Sequence, residues 1–485
     1  MTTNDPILDQ AIAKLAGKVP RALLVGGVVR DFLLGVPTKD ADVEVYGISS
    51  GELKSVLEKL FDQVDTVGAS FGIYKVTLAE GRMLDVAIPR TESKTGKGHK
   101  GFEVIGDPAL NVTEALRRRD FTVNAIAMDA VTGEVIDPFN GRNDLSARVL
   151  RAVDPRTFVE DPLRVFRGVQ FSARLHFAIE PKTLALMKQM VQNGELDELS
   201  KERVTEEWRK LLLKAERPSL GLALMLELDI IHHYYPELAA LVSIPQEPDW
   251  HPEGDVWVHT LLALDEAVGI SRDSHPLNNP LNNPPHNPLL IPLSTLCHDL
   301  GKPLVTKMVE GKLRAFGHEE AGVEPSKSLL SRFTFGDDLT HQVCAITRDH
   351  LKPTTLYRSF QKGELNEKQY ANAVRRLLKR LGGVPLNVFL AVTEADTRGR
   401  GLASDTGEYE PGAFMRQTVS KNDLEIAAKT PLITGAELIA EFGLVEGPKI
   451  GEVMKAVELA RDNGEIETPE EARELVKKLM YTERK

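Results

Sequence analysis

Cysteine is nearly absent: Cys297 and Cys344 are the only two in 485 residues. They cannot build a disulfide framework or a cysteine zinc cluster, and a reduced, cytoplasmic setting is expected. Apolar runs are also short. None approaches the length of a membrane span, so no membrane association is expected. The opening MTTNDPILDQ lacks the basic-then-apolar pattern of a signal peptide. Positive charge is not in excess, since 60 Lys and Arg against 71 Asp and Glu leave a formal net charge of -11. A protein that coats nucleic acid without specificity is usually basic. Local basic surfaces remain, in the stretch from Arg90 to Lys100 and in Arg117-Arg118-Arg119. Nothing repeats at solenoid periods.

Hydrophobic residues at 42% and charged residues at 27% make an ordinary globular balance, and the length calls for two or three domains. Residues 21–88 alternate short apolar strands with helical patterns: ALLVGG, VVRDFLLG, DADVEVYG, GELKSVLEKLFDQV, then a two-strand hairpin over GIYKVTLAEGRMLDVAI. From about residue 150 strand signals fade, and 157–177, 181–193, 203–214 and 218–230 carry helical periodicity. The fold expected is therefore α+β, with a small mixed sheet in an N-terminal head and all-α regions after it. The Pro- and Asn-loaded stretch 271–292, with near-duplicated PLNNP units, reads as a loop insertion between helices.

Gly26-Gly27 leaves a strand and enters a helix, a setting in which backbone N–H groups approach phosphate without interference from Cβ. A tight turn alone explains the pair equally well. Asp40 and Asp42 lie two apart on a strand, so both carboxylates face one side and suit hard Mg²⁺ ions of the kind that bind nucleotide phosphates. Two such ions can activate an attacking hydroxyl and stabilise leaving pyrophosphate. Asp85, in RMLDVAI, is either a third metal carboxylate or a strand-edge Asp.

The words GGVVRD, KDADVEVYG, RRRDFTVNAIAMD, DPFNG and EDPLRVFRGVQFSAR occur in an order that resembles the class II CCA-adding tRNA nucleotidyltransferases and bacterial poly(A) polymerases. The resemblance is dense over 20–215. It implies a nucleotidyltransferase head with Asp40 and Asp42 as metal ligands, and tRNA, CTP and ATP as partners. Gly26, Gly27 and Arg30 would cradle phosphates. Arg119, Asp120 and Asn124, read as the start of a helix, would hold the sugar and triphosphate. In Glu160-Asp161-Pro162-Leu163-Arg164, Asp161 reads as a helix N-cap before Pro162, with Arg164 three residues on and on the same face. A carboxylate accepts from the amino group of C or A while a guanidinium donates to ring acceptors, so the pair implied by the resemblance reads both bases without a template. Arg167 and Arg174 extend that basic face. The stretch 89–104, rich in Gly, Lys and Thr, reads as a mobile loop, and the resemblance implies that it assists the switch from C to A addition, favouring complete CCA addition.

A second constellation follows in WVHTLLALDEA, LCHDLGKP, GHEEAG and TEADTRGR. A His-Asp dipeptide with distant His and Asp can hold a divalent transition metal between facing helices. The order His259, His298-Asp299, Asp396 resembles the HD phosphohydrolase superfamily, and HPEGDVWVHT with EADTRGR resembles the HD-bearing bacterial CCA enzymes. Hydrolysis of phosphoesters by metal-activated water is implied, with His318 and His350 extending the site. His232, His233, His251 and His341 read as ordinary surface or core residues.

The domains expected are a catalytic head at 1–150, a helical neck and body at 151–250, an HD domain at 251–400 and a helical tail at 401–485. Besides a non-catalytic RNA-binding protein, against which the intact metal-ligand carboxylates weigh, two rivals share these motifs. One is an A-adding enzyme or poly(A) polymerase, although the mixed ending GEIETPEEARELVKK lacks a strongly basic tail. The other is an HD phosphohydrolase with a non-catalytic RNA-binding head, against which the intact carboxylates weigh. The cluster Arg375-Arg376-Lys379-Arg380 reads as a solvated basic helix or a tRNA contact.

Overall fold

The computed structural model describes residues 3, 5–66, 72–94, 102–272, 286–402, 407–424, 431–462 and 464–482. The chain divides into two compact units, Met1–Tyr234 and Tyr235–Lys485.

The first unit is built on strands β1 (Arg21–Val25), β2 (Asp40–Tyr46), β3 (Val64–Thr66), β4 (Ile73–Thr77), β5 (Met83–Ala87), β6 (Arg90–Lys94), β7 (Phe102–Gly106), β8 (Ala127–Asp129) and β9 (Val135–Ile136). Seven of them form one sheet in the order β3-β4-β5-β2-β1-β8-β9. It is mixed, as expected: β2 and β5 run parallel while β1 is antiparallel to both β2 and β8. Leu23, Val25 and Tyr46 pack with Leu116, Ala125 and Ala127 into a core that pins RRRDFTVNAIA against β1. The helix Ser50–Leu60 starts where Ser49 and Glu52 cap each other's backbone N–H groups, the reciprocal capping box.

Two sequence expectations differ in detail. Arg119, Asp120 and Asn124 follow a short helix, Val112–Arg117, and enter a 3₁₀ turn at Thr122–Asn124 instead of opening a new helix. The reason is downstream, because Ala127–Asp129 is claimed by the sheet, between β1 and β9. The flanks of the stretch 89–104 are paired, β6 with β7, in an antiparallel ribbon, while 95–101 lie outside the described residues. Beyond the head the helices Leu163–Leu175, Pro181–Gln192, Lys201–Lys214 and Pro218–Glu227 follow the expected periodicity.

The second unit is helical, with one small hairpin, Lys307–Val309 against Lys312–Arg314. Helix Val256–Arg272 packs on Leu386–Gly399 and Leu290–Cys297, and Leu290–Cys297 packs on Asp337–Asp349. Of the stretch 271–292, residues 271–272 end one helix and 290–292 begin another, and 273–285 lie outside the described residues. The last three helices, Gly435–Phe442, Pro448–Asp462 and Pro469–Thr482, bury Leu438, Val453, Val457 and Val476 in a cluster of their own. Arg375 is buried and pairs with Glu458 at 3.1 Å, so it serves internal packing, while the half-exposed Lys379 reaches the same carboxylate at 2.7 Å. Among the described residues no helix is long and apolar enough to cross a membrane.

Candidate functional sites

The head site grows from the register of three neighbouring strands. Val25 pairs with Asp42, and Asp42 pairs with Asp85, so the end of β1 delivers Gly26 beside two carboxylates. Alternation along β2 puts Asp40, Asp42 and Glu44 on one face. Glu44 was not singled out from the sequence. It is buried and accepts from Arg118 at 3.3 Å and Arg119 at 3.2 Å, which locks two cations of the RRRD run over the carboxylates.

Gly26 has φ 74°, a left-handed value that a side chain would strain. A Cβ there would lie 2.6 Å from Arg119 Nη1 and 3.6 Å from Asp42 Oδ2, whereas one on Gly27 would meet only Arg30 Nη2 at 3.5 Å. The close approach therefore belongs to Gly26. Burial raises the Asp42 carboxyl, Arg119 opposes it, and the neighbouring Asp85, Glu44 and Asp40 raise it further. Asp85 is raised by burial and by Asp40, against Lys75, and its Oδ1 is buried with no hydrogen-bond partner. A buried, unpartnered carboxylate oxygen beside crowded like charges is an arrangement a divalent cation relieves. The residues fit Mg²⁺.

A second layer surrounds them. Asp120 is buried and accepts from Phe121 N at 2.8 Å, Asn124 Nδ2 at 3.0 Å and Arg167 Nε at 2.7 Å. Asn124 Oδ1 in turn accepts from Arg30 Nη1 at 2.8 Å. Arg30 and Arg167 each lie 5.2 Å from the ring centroid of Phe171, a residue the sequence reading passed over. The chain thus ties Arg30, Asn124, Asp120 and Arg167 into one network. Asp161 and Arg164 make their hydrogen bonds outside it, although Asp161 lies close enough to raise the pKa of Arg167. Asp161 accepts from Leu163 N at 3.2 Å, a capping contact, with Pro162 as the helix's N-cap residue, and from Arg203 Nη2 at 2.9 Å. Arg164 is buried, donating to the carbonyls of Thr157, at 2.7 Å, and Arg118.

The second unit gathers the other constellation. His259 Nε2 lies 3.3 Å from His298 Nε2 and 3.1 Å from Asp396 Oδ1, and His298 Nε2 lies 3.3 Å from Asp299 Oδ2. On the far side of Asp299, His318 Nε2 is 3.3 Å from Oδ1 and 3.3 Å from His350 Nε2. Two glycines make this convergence possible. A Cβ on Gly399 would lie 2.7 Å from the Ala263 backbone, and one on Gly301 would lie 2.0 Å from the His318 carbonyl oxygen. Only glycine lets these segments approach so closely.

The four imidazoles are oriented alike. Nδ1 of His298, His318 and His350 faces the carbonyls of Thr295, Ala315 and Thr347 at 2.6, 2.8 and 2.6 Å. Nδ1 of His259 faces Glu253 Oε1 at 2.7 Å. These oxygens only accept, so each neutral ring protonates Nδ1 and turns a bare Nε2 inward, the orientation metal-bound imidazoles need. Glu253 also holds His251 Nδ1 at 2.8 Å, so His251 is part of the supporting shell, unlike its reading as an ordinary residue. Burial raises Glu253, yet the two imidazole N–H groups hold its carboxyl down at about 2. Asp299 Oδ2 is 2.7 Å from Lys302 Nζ but accepts no hydrogen bond of normal geometry. Burial opposes charge on His298, while Asp299 and Asp396 raise its pKa to about 10, a crowding of carboxylate charge that a divalent ion would balance. This donor set, mixed imidazole and carboxylate, fits a divalent transition metal.

The mixed-sheet head, with its carboxylates and adjoining Gly26 turn, defines a nucleotidyltransferase. Comparison with known proteins agrees. Residues 22–151 match the poly A polymerase head domain, and 176–241 match the probable RNA and SrmB-binding site of polymerase A. A multifunctional CCA protein of Xanthomonas campestris pv. campestris is 36% identical over 444 residues, covering 90% of this chain and 97% of the relative. One from Xylella fastidiosa is 36% identical over 398 residues, 81% of this chain and 88% of the relative. The chain belongs to the CCA-adding tRNA nucleotidyltransferase family. Among solved structures, the Bacillus stearothermophilus CCA-adding enzyme in complex with CTP shares the fold with a TM-score of 0.64, at 23% identity and with 100% of both chains covered. The Thermotoga maritima CCA-adding enzyme complexed with tRNA shares it with a TM-score of 0.55, at 21% identity, over 98% of this chain and 96% of that one.

Proposed function

We propose that this enzyme adds C, C and A in turn to the 3′ end of tRNA in the cytoplasm. The terminal hydroxyl attacks the α-phosphate of CTP, later of ATP, and pyrophosphate leaves. The observation that carries this reading is the register that aligns Asp42 with Asp85 beside the Gly26 turn. Asp40, Asp42 and Asp85 are the residues that would hold two Mg²⁺ ions. When bound, such ions lower the pKa of the attacking hydroxyl and neutralise charge on the leaving group. The protein's own part is positioning. Backbone N–H groups at the Gly26–Gly27 turn, with Arg30 and Arg119, face the triphosphate, while Asp120 and Arg167 hold the network that orients Arg30.

Asp161 and Arg164 are assigned to base selection. Arg203 steadies Asp161, which lies just before the helix Leu163–Leu175 that carries Arg164 in its first turn. Residues 1–150 form the head in this reading, 151–250 the neck and body, 251–400 an HD domain and 401–485 the tail. Primer extension tests it, using tRNA transcripts ending at the discriminator base, after the first C and after the second, with CTP and ATP supplied separately and together. Completed CCA ends are expected. Addition of A alone, or an A tail, would replace this reading with that of an A-adding enzyme or poly(A) polymerase.

The second unit supports an additional reading, metal-dependent phosphoester hydrolysis. His259, His298, Asp299 and Asp396 would hold one ion, with His318 and His350 beside it. The favouring observation is the common inward orientation of four Nε2 atoms around Asp299 and Asp396. Phosphate release with Mn²⁺, Co²⁺ or Ni²⁺, lost in His298→Ala together with bound metal, is expected. Metal-free protein that hydrolyses equally well would sink this assignment.

A further inference from the structure

A cavity of about 430 Å³ opens beside the histidine cluster, and part of its wall serves no purpose in holding the cluster together. Asp299, His318, His350 and Asp396 line it on one side, and Trp250, Arg314, Phe316 and Arg358 also line it. Trp250 is 45% exposed and Phe316 70% exposed, an unusual way to leave two large aromatic rings in a cavity wall. Their placement is nonetheless anchored. Glu247 accepts from Leu313 N at 2.9 Å and its carbonyl accepts from Trp250 N at 3.0 Å, tying the hairpin before Phe316 to the turn that carries Trp250. Lys312 reaches Asp249 across the same junction at 3.1 Å.

Charge completes the pattern. The guanidinium of Arg358 lies 5.6 Å from the Trp250 ring centroid and, among the described residues, has no carboxylate partner, nor does that of Arg314. Lys302 in the same cavity differs, because Asp299 neutralises it at 2.7 Å. Exposed π-faces offer a base a surface to stack on, and unpaired guanidinium groups bind phosphate oxygens. We infer that Trp250 and Arg358 form a nucleoside platform for the hydrolytic site, with the base of the substrate stacked on Trp250. This rests on the phosphohydrolase reading of the histidine cluster and adds that the site discriminates by the base.

The test compares adenosine 2′,3′-cyclic phosphate with ribose 2′,3′-cyclic phosphate, which lacks a base, using the full-length enzyme with Mn²⁺, Co²⁺ or Ni²⁺. Wild type is expected to show a KM roughly 10-fold lower or more for the nucleoside, the range of one base–aromatic stack. Trp250→Ala removes that preference by raising KM for the nucleoside, and Trp250→Phe restores most of it. Arg358→Ala raises KM for the nucleoside alone. In parallel, adenosine 3′-monophosphate is expected to quench tryptophan fluorescence in wild type and not in Trp250→Ala, the remaining tryptophans, Trp208 and Trp257, being buried. Equal KM values for the two substrates in wild type, or a Trp250→Ala loss shared by both, overturn the platform while hydrolysis stands. Hydrolysis of neither substrate sinks the phosphohydrolase reading instead. The titration then decides the platform alone, and an unquenched wild type overturns it.

Discussion

Removing Arg167 should uncover how the head holds its nucleotide network. Asp120 is buried, and Arg167 meets its Oδ2 through Nε at 2.7 Å and Nη2 at 2.7 Å, while Phe121 N and Asn124 serve Oδ1. Burial would raise this carboxyl, but Arg167, Asn124 and Phe121 together bring it from 3.8 down to about 2. Nearly two units correspond to about 2–3 kcal/mol of differential stabilisation. Breaking a buried ion pair by removing one partner costs about 3–5 kcal/mol. With 32% of the Arg167 side chain exposed, the lower end is appropriate, and Arg167→Ala should cost roughly 2–3 kcal/mol at neutral pH. The sign follows from the depressed pKa. The contribution is complete above the unfolded value of 3.8 and is lost as pH falls toward about 2, so roughly half should remain at pH 3. Urea unfolding followed by Trp208, with Trp250 and Trp257 replaced by Phe, reads this unit separately. Trp208 lies on the helix Lys201–Lys214, which packs against the helix carrying Arg167. A double-mutant cycle with Asp120→Asn should give a coupling of about 2 kcal/mol. A coupling near zero, or an Arg167→Ala loss that does not change between pH 7 and pH 3, would refute the reasoning.

Other outcomes follow from the same geometry. Gly26→Ala should reduce CTP addition by roughly 10-fold or more in kcat, since a Cβ at φ 74° displaces Arg119 and costs about 1–2 kcal/mol of backbone strain. Steady-state kinetics check it, and unchanged kcat would remove Gly26 from the site. Asp42→Ala should abolish nucleotide addition and leave phosphoester hydrolysis, while His298→Ala does the reverse. Paired assays on each variant decide this, and loss of both activities in either one would contradict two separate sites. Gly301→Ala should lower bound transition metal, read by elemental analysis, because the added Cβ pushes the His318 carbonyl away from Asp299. Full metal occupancy in that variant would show that the close approach is not needed for the site.

Much of the head was legible because its information is local. Asp40 and Asp42 share a strand face by the period of two, and the Gly26-Gly27 pair marks a strand-to-helix turn in a short string of residues. The clustering of His259, His298, Asp299 and Asp396 was legible for a different reason: the resemblance tied them together across long sequence separations. What escaped was whatever depends on contact between distant segments. Glu44 looked like an ordinary strand residue until Arg118 and Arg119 were seen over it. Glu253 and His251 acquire a role only when His259 is folded against them. The RRRD run looked like a helix start because local propensity carries no record of the sheet that claims Ala127–Asp129.

The sequence by itself determined the alternating strand faces, the helical periodicity after residue 150, the family and the residue types available for chemistry. Those follow from backbone geometry and side-chain spacing along one segment. Only the tertiary structure decided which glycine permits close approach at each site, which nitrogen of each histidine faces inward, and that Asp120 is held by Arg167 instead of by solvent. Each of these depends on excluded volume and desolvation, and both arise only when segments remote in the chain are packed together.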